Sequence, residues 1–518
     1  MKSYSLFLLS FFITSSLLFS QTFEETTKVV ASDRRADDWF GYSSAIDENY
    51  AIVGAIFNSY DSDGNNYFNQ SGSAYILINN NDDWTELVKI TASDRKSEST
   101  FGYAVDIEGN TAVVTAREDN TDENGENYLY EAGSAYVFEK DNNGDWNQVA
   151  KLLPSDRHAN DMFGWDVAIS GNTIAVGTPD NSSDENNQNY LNSSGAIYLY
   201  QKVNNQWEFK QKVVSTNRNT GGYFGFSLDI DGDFIVTGAP EWSPSKGCGH
   251  AYIIKNINGT WQEVQKITPA KTNQFDWFGK SVSIFENTIV IGAPQDSYDE
   301  DGNNYLHFSG SAYIYKNSND KWELEQKITS LDRGYTDYFG RSVSNSEDKI
   351  VIGSTLNNYD ENGENYMSSS GSAYIFKNSN NTWEQIQKIV ASDRNESDIF
   401  GYSVDISGDY IICSTSSQND DENGNNYLSK AGSAYFFKNT NALGIDDPLL
   451  SQGLNMYPNP VKNSLTLESI MPLEKVEIYS TLGQKVKEVN SDFNSISTNH
   501  LSNGIYLIRI YSEKKCCS

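Results

Sequence analysis

Six short stretches of the chain place Asp and Asn side chains at alternate positions around a tight turn, as in YDENGENY at 359–366. Oxygens at this spacing could bind Ca²⁺, which takes roughly six to eight oxygen ligands. Ca²⁺ is therefore the one possible cofactor that the sequence suggests. The candidate ligands are Asp61, Asp63, Asn65, Asp122, Asn124, Asp184, Asn186, Asp299, Asp301, Asp360, Asn362, Asp421 and Asn423.

The same residues are also typical of solvated turns, because Asn, Asp and Gly tolerate left-handed backbone angles. The stretches do not match an EF-hand, since Gly363 takes the fourth position of its loop rather than the sixth and no Glu takes the twelfth. In this alternative the trailing tyrosine, such as Tyr366, pins the loop. The sequence leaves both alternatives open.

No catalytic constellation stands out. The four histidines occupy unrelated contexts, and the chain shows no zinc-type spacing, nucleophile elbow, phosphate loop or dinucleotide fingerprint. One repeat breaks the pattern: EWSPSKGCGH at 241–250 replaces an acidic loop. Its Trp242, Lys246, Cys248 and His250 are the candidates for a unique site, and simple loop decay is the alternative.

The acidic loops recur because the chain is built from seven copies of one unit. Phe-Gly recurs 54 to 62 residues apart, beginning at Phe40, Phe101, Phe163, Phe224, Phe278, Phe339 and Phe400. Each Phe-Gly opens an alternating stretch that predicts a half-buried strand, and three more strand-like runs follow. Four strands per unit at this period predict a β-propeller blade.

The ends of the array predict how the ring closes. The seventh copy stops after its third strand, at residue 440. The stretch TFEETTKVVASD (22–33) aligns with the fourth strand of the sixth copy, TWEQIQKIVASD (382–393), with Phe23 in place of Trp383. We therefore expect residues 22–31 to complete the last sheet, which removes its open edge. The predicted fold is an all-β, seven-bladed propeller over residues 21–440, closed by its N-terminal strand.

In a four-stranded blade the loop between strands two and three shares a face with the loop that enters the next blade. The acidic loops should therefore lie beside the repeated Asp-Arg loops, where we expect the Asp-Arg pairs to fasten neighbouring blades. These pairs are Asp33/Arg34, Asp94/Arg95, Asp156/Arg157, Asp332/Arg333 and Asp393/Arg394, with Lys271-Thr272 instead in the fifth copy. Exposed pairs of this kind would add little net stability.

Phe-Gly, the Gly-Ala-Pro element (238–240 and 292–294) and Gly-Ser-Ala-Tyr together resemble the bacterial variant of the FG-GAP repeat of integrin-α-type propellers. The resemblance covers residues 22–440 and implies a secreted, adhesion-type binding protein. Other residues replace the Gly-Ala-Pro element at 115–117, 353–355 and 414–416. The small residues of the element should let neighbouring backbones approach closely. The integrin-type calcium loop would lie between strands one and two, where this chain has only a short turn.

Both ends of the chain carry export signals. Residues 1–20 predict a secretory signal peptide. After a linker at 441–453, residues 454–518 predict a small β-sandwich. Its YPNP (457–460), LGQ (482–484) and LSNGIY (501–506) elements resemble the sorting domain of type IX secretion cargo in Bacteroidota. The resemblance implies the type IX machinery as a partner and a secreted or outer-surface location, although the ending YSEKKCCS departs from the family's last strand.

The net charge of −32 argues against nucleic acid and anionic membranes as partners. Beyond the N-terminal run, no segment is long and apolar enough to span a bilayer.

We expect a monomeric, non-enzymatic module that presents its acidic loops to an extracellular protein or glycan. The alternative is an extracellular polysaccharide hydrolase or lyase. The near-identity of the loops favours the binder, because an active site needs asymmetric residues near the axis.

Overall fold

The computed structural model describes residues 22–122, 124–240, 247–269, 275–440, 454–457, 464–469, 473–480, 485–499, 501 and 506–512. Two compact units share the chain: Phe23–Asn439, and a unit that contains the residues from Thr440 onward. The predicted signal peptide (1–20) and linker (441–453) lie outside the described residues.

The larger unit consists of seven four-stranded antiparallel sheets, which confirms the predicted propeller. The middle strands are buried on both faces, which explains why they read as continuous apolar runs. From the axis outward, the strands of blade 1 are β2 (Phe40–Asp47), β3 (Tyr50–Ala55), β4 (Ser73–Asn80) and β5 (Asp83–Ile90), and those of blade 2 are β6 (Phe101–Glu108), β7 (Thr111–Ala116), β8 (Ser134–Lys140) and β9 (Trp146–Leu152). In the same order, blade 3 contains β10 (Val167–Ser170), β11 (Thr173–Thr178), β12 (Ala196–Val203) and β13 (Gln206–Val213), and blade 4 contains β14 (Ser227–Asp231), β15 (Phe234–Ala239), β16 (His250–Ile257) and β17 (Thr260–Ile267). Blade 5 contains β18 (Ser281–Phe285), β19 (Thr288–Ala293), β20 (Ser311–Ser318) and β21 (Lys321–Ile328), and blade 6 contains β22 (Phe339–Ser346), β23 (Lys349–Ser354), β24 (Ser372–Asn378) and β25 (Trp383–Ile389).

Blade 7 closes the ring with the first strand of the described chain. Its order from the axis is β26 (Ser403–Ser407), β27 (Tyr410–Thr415), β28 (Ser433–Thr440) and β1 (Thr22–Val29). The side-chain amide of Gln387 in blade 6 accepts from the Phe23 N–H (2.7 Å) and donates to the Phe23 carbonyl (2.8 Å). Gln326 holds Trp383 in the same way. Phe23 thus occupies the place of Trp383, as the repeat alignment predicted.

The core lies between the blades. Seven buried apolar clusters each combine residues of two successive blades, and one of them joins Ile412 and Phe436 of blade 7 to Val53 and Tyr75 of blade 1. The Phe of every Phe-Gly is buried within these clusters. Because each cluster needs two blades, the blades stabilise one another in a ring.

Two repeated glycines permit this close packing. Gly102 of one Phe-Gly has φ of 94°, and a Cβ there would lie 2.4 Å from the carbonyl oxygen of Ser73 in the preceding blade. Gly54, in the Gly-Ala-Pro position of blade 1, faces the Gly102 carbonyl, which a Cβ would meet at 2.1 Å. The Gly-Ala-Pro glycine therefore has the predicted packing role.

The C-terminal part forms two three-stranded sheets, β29-β30-β33 and β32-β31-β34. Leu465, Leu467, Val476, Ile478 and Ile496 from the two sheets share one buried cluster, as expected for a small sandwich. The elements are β29 (Leu454–Tyr457), β30 (Ser464–Ser469), β31 (Leu473–Ser480), β32 (Lys485–Val489), a 3₁₀ turn (Phe493–Ser495), β33 (Ile496–Ser497) and β34 (Tyr506–Ser512). The unusual residues 513–518 lie outside the described residues.

None of the helical segments in the described ranges has the length and hydrophobicity required to cross a membrane.

Candidate functional site

The first Asp of each acidic loop caps the turn with both carboxylate oxygens. In the loop at 359–366, Oδ1 of Asp360 accepts from the backbone N–H groups of Asn362 (3.0 Å) and Glu364 (2.8 Å). Oδ2 accepts from the side-chain amide of Asn365 (2.5 Å). Backbone hydrogen bonds are the largest favourable influence here, and they lower the pKa of this carboxyl. The same shift occurs at Asp61, Asp122, Asp184, Asp299, Asp360 and Asp421.

These contacts bear on the calcium hypothesis. The candidate partners two positions after the capping Asp, such as Asn124, Asn362 and Asn423, are exposed on the outer side of the loops. Across the described ranges, no three His, Cys, Asp or Glu side chains converge in a way that could hold a metal ion. The loop residues do not form a ready Ca²⁺ cage in this conformation, and calcium binding stays a prediction.

The trailing tyrosines are mostly exposed to solvent, and three of them contact the opposite end of their own loop. Tyr67, Tyr128, Tyr190, Tyr305, Tyr366 and Tyr427 are 58% to 74% exposed. In three loops the ring packs edge-on against a second tyrosine across the base of the loop, as Tyr366 does with Tyr359. A Tyr ring combines apolar area with a polar hydroxyl, and exposed rings of this kind can contact a ligand. The six loops therefore present aromatic as well as acidic groups to solvent.

The Asp-Arg loops fasten neighbouring blades, but the two residues do so in opposite directions. Arg394 donates to the carbonyls of Asn358 and Asn365 in the acidic loop of its own blade (both 3.3 Å). Asp393 accepts from the Tyr435 hydroxyl (2.8 Å) and from Lys28 (2.6 Å), both in the next blade. The expected exposed Asp-Arg ion pair is thus wrong: the partner of the Asp is a buried Lys.

We name the surface formed by the six acidic loops and the adjoining Asp-Arg loops the acidic loop face. The hydrogen bonds from Arg34, Arg95, Arg157, Arg333 and Arg394 to acidic-loop residues confirm that the two sets of loops lie together. Lys271 and Thr272 of the fifth copy lie outside the described residues.

Of the four candidate residues in the fourth copy, the structure describes two, so a unique site there stays a prediction. Cys248 is buried, and its thiol contacts the backbone carbonyl of Gly249. His250 Nδ1 lies 2.8 Å from the Thr268 hydroxyl, and burial together with Lys266 lowers the pKa of this imidazole to about 4. Trp242 and Lys246 lie outside the described residues.

The inner strands of all seven blades line an axial cavity of about 460 Å³. A ring of seven side chains surrounds it, each from the residue after a Phe-Gly. Aromatic neighbours lie 5.1 to 5.7 Å apart between ring centroids. The ring is at the start of each inner strand, which places it toward the acidic loop face. Its members are Tyr42, Tyr103, Trp165, Phe226, Lys280, Arg341 and Tyr402; we call it the axial ring.

Two cations complete the axial ring where the aromatic series stops. Lys280 Nζ lies 4.4 Å from the centroid of Phe226, and the Arg341 guanidinium lies 4.4 Å from the centroid of Tyr402. A third cation, Arg117, lies over Tyr103 and pairs with its neighbour Glu118. Arg117 stands in blade 2 where the Gly-Ala-Pro element has its Pro. This replacement therefore adds a cation at the axis as well as changing the packing between blades.

Four aspartates line the same cavity and tie successive inner strands together. Asp106, Asp166, Asp229 and Asp405 accept the N–H of Ile169, Leu228, Ile284 and Ile46 in the next blade, at 2.7 to 2.8 Å. Burial raises the pKa of Asp166 and Asp229 to about 7 and that of Asp405 to about 6. Burial, with repulsion from Asp229 and Asp405, also raises the pKa of Asp106.

Sequence reasoning missed the axial ring. The residue after Phe-Gly was interpreted only as part of a half-buried strand. A comparison of that one position across the seven copies would have shown five aromatic residues interrupted by Lys280 and Arg341, which was the available signal.

The closed ring of seven four-stranded blades and the repeated Phe-Gly contacts define a β-propeller of the integrin-α type. The family model named FG-GAP repeat matches residues 23–77, 84–138, 146–200, 207–254, 261–315, 322–376 and 383–437. The chain belongs to the FG-GAP repeat family. The secretion system C-terminal sorting domain matches residues 455–518, so the protein is exported by a type IX system to the medium or the cell surface and interacts with that machinery.

Among curated proteins, integrin alpha-6 of Gallus gallus is 27% identical over 186 residues. This match covers 32% of the chain and only 16% of the integrin. Among solved structures, a protein from Lactobacillus plantarum aligns at 10% identity over 69% of this chain and 86% of that protein, with a TM-score of 0.41. That TM-score is too low to indicate a shared fold.

Proposed function

We propose that this secreted propeller is an extracellular binding module and that the acidic loop face is its ligand-binding surface. The observation that carries the proposal is the repetition of an exposed tyrosine beside loop carboxylates in six blades. Tyrosine is enriched at binding surfaces because it offers large contact area at a low cost in conformational entropy. The ligand is a protein or a glycan that supplies hydrogen-bond donors or positive charge to the loop carboxylates.

The test is a binding screen against arrays of extracellular glycans and surface proteins. A triple variant, Tyr67→Ser, Tyr366→Ser and Tyr427→Ser, changes three neighbouring blades. It should weaken binding of the best ligand by about tenfold or more, which corresponds to the loss of roughly 1.4 kcal/mol at a contact centre.

The matched control removes apolar side chains elsewhere. Val264 and Leu324 are 40% and 48% exposed on the outer strands β17 and β21, away from the acidic loop face. A Val264→Ser, Leu324→Ser variant should bind as the unchanged protein does. Equal affinities of the loop variant and the unchanged protein would contradict the proposal.

One observation favours the alternative of a polysaccharide hydrolase or lyase: the axial cavity combines carboxylates of raised pKa with Lys, Arg and Tyr side chains, and perturbed pKa values are frequent at active sites. Against it, Asp106, Asp166, Asp229 and Asp405 each accept two backbone N–H groups, one from the next blade. These contacts give the carboxylates a structural role. Release of reducing ends or unsaturated products from the array glycans would support the enzyme.

A further inference from the structure

The axial ring departs from sevenfold repetition at one place. Tyr stands at the ring position in blades 1, 2 and 7, and Trp or Phe in blades 3 and 4. In blades 5 and 6 the adjacent residues are Lys280 and Arg341. Because the ring positions have equivalent backbones, the fold does not require a cation at either one. The two cations therefore need an explanation other than packing.

Their lack of ion-pair partners is unusual in this chain. The buried lysines between blades, such as Lys89, Lys212 and Lys388, each pair with an Asp at 2.7 Å. Within the described residues, Lys280 and Arg341 form no salt bridge and no side-chain hydrogen bond, and each lies over an aromatic ring. Burial and the charge of Arg341 lower the pKa of Lys280 well below its ordinary value, and Asp166, which lines the same cavity, opposes this shift only in part. An anion between Lys280 and Arg341 would stabilise the charged form of both side chains. In a protein with a net charge of −32, two such neighbouring cations are a local site for an anion.

The surroundings define which anion fits. The cavity volume of about 460 Å³ lies in the range of small-ligand sites, roughly 300–1,000 Å³. Phe226 contacts Lys280 and Tyr402 contacts Arg341, and Trp165 lies beside Phe226. A guanidinium matches a planar carboxylate through two parallel hydrogen bonds. Burial raises the pKa of Tyr42 and Tyr103, so their hydroxyls stay protonated and can donate.

We propose that the axial ring binds an acidic sugar residue, a uronate at the end of an extracellular glycan, with its carboxylate between Lys280 and Arg341. The apolar face of the sugar ring packs on Trp165 and Phe226, and its hydroxyl groups accept from the tyrosine hydroxyls. The negative potential of the surrounding loops disfavours long polyanionic chains in this site. A short oligouronate that places its terminal carboxylate between the two cations suits it better. This site is separate from the exposed tyrosines of the acidic loop face.

The repeat supplies the variants for the test. Lys280→Tyr and Arg341→Tyr place at each position the residue that blades 1, 2 and 7 already carry, so both should fold. Lys280→Met keeps the aliphatic stem and serves as a second variant at that position. Lys210→Gln, at an exposed position of the outer strand β13, removes one positive charge outside both the axial ring and the acidic loop face and is the matched control.

Isothermal titration calorimetry on the purified protein, with trigalacturonate, maltotriose and inorganic sulfate as separate probes, measures the outcome. Trigalacturonate should bind, with affinity reduced at least tenfold in Lys280→Tyr, Lys280→Met and Arg341→Tyr and unchanged in Lys210→Gln. The triple tyrosine variant of the acidic loop face should bind it normally, which separates this inference from the proposed function. Absence of trigalacturonate binding, equal binding of maltotriose, displacement by equimolar sulfate, or unaffected axial variants would each overturn the proposal.

Discussion

The acidic loop face and the axial ring differ in what the repetition of a residue across the blades indicates about its role. Each acidic loop repeats the same Asp and Asn because those side chains make the same turn contacts in every blade. The seven axial positions share a backbone, but their side chains change from aromatic to cationic. In a repeat protein, near-identity can therefore report structural need, and variation at an equivalent position is the better indicator of specific chemistry.

The carboxylates of the two regions extend the comparison. Asp360 in a loop and Asp229 at the axis both accept backbone N–H groups. The pKa of Asp360 is lowered by those bonds, whereas burial raises the pKa of Asp229 to about 7. The shifts are opposite because hydrogen bonds are the larger influence at Asp360, whereas burial is the larger influence at Asp229.

The largest effect on stability should come from removal of β1, the strand that completes blade 7 and closes the ring. A chain that begins at residue 34 lacks β1, exposes the core of blade 7 and leaves β28 with an unpaired edge. We expect it to show no cooperative thermal transition, as measured by circular dichroism and calorimetry. A chain that begins at residue 21 is the control and should melt as a single unit. A cooperative transition of the shorter chain at the same temperature would disprove closure by β1.

Next in size is the loss of one repeated contact between blades. Lys212 and Asp156 form a 2.7 Å ion pair with side chains 4% and 11% exposed. Lys212→Met leaves the Asp156 charge with the hydroxyls of Tyr198 and Ser183 but no cation, and should lower the free energy of unfolding by about 2–3 kcal/mol in urea titrations. Lys210→Met, two residues away on the exposed side of the same strand, should change it by less than about 0.5 kcal/mol. Equal changes in the free energy of unfolding for the two variants would contradict the structural role assigned to the repeated Asp.

The sequence was sufficient for the parts of the molecule that depend on repetition. The Phe-Gly spacing predicted seven blades, and the match of Phe23 to Trp383 predicted closure, because strand pairing follows the apolar pattern. The axial ring depends on seven inner strands converging, which strand alternation alone does not contain. The exposure of Tyr366 is likewise not contained in the sequence pattern, because it depends on how the folded loop lies against its neighbours.

A smaller effect, the pH dependence of stability, should distinguish the axial carboxyls of raised pKa from the carboxyls of lowered pKa. Asp166, Asp229 and Asp405 have folded pKa values of about 6 to 7, above the ordinary value of 3.8, so they bind protons more tightly in the folded state. Each of these groups should therefore add roughly 1–2 kcal/mol to the free energy of unfolding as the pH falls from 8 to 5.5. Below about pH 4 it should fall, because carboxyls of lowered pKa such as Asp156 become protonated and lose their contacts.

Urea unfolding between pH 3 and pH 8 measures this profile, with the maximum expected between about pH 4 and pH 6. Asp229→Asn removes one axial titration and should flatten the neutral limb while leaving the acid limb unchanged. A profile that rises steadily toward pH 8 would contradict the raised pKa values at the axis.

The smallest effect concerns calcium at the loops. If six loops bound Ca²⁺, each would stabilise the fold by RT ln 2, about 0.4 kcal/mol, at a Ca²⁺ concentration equal to Kd. Because both carboxylate oxygens of Asp360 already accept hydrogen bonds within its own turn, Ca²⁺ has to compete with these contacts, and we expect at most a small rise in melting temperature between EDTA and 5 mM CaCl₂. A rise in CaCl₂ that disappears with EDTA, and that diminishes in an Asp360→Asn, Asp421→Asn variant, would establish the loops as cation sites. The near-identity of the loops would then reflect ligand binding as well as turn geometry.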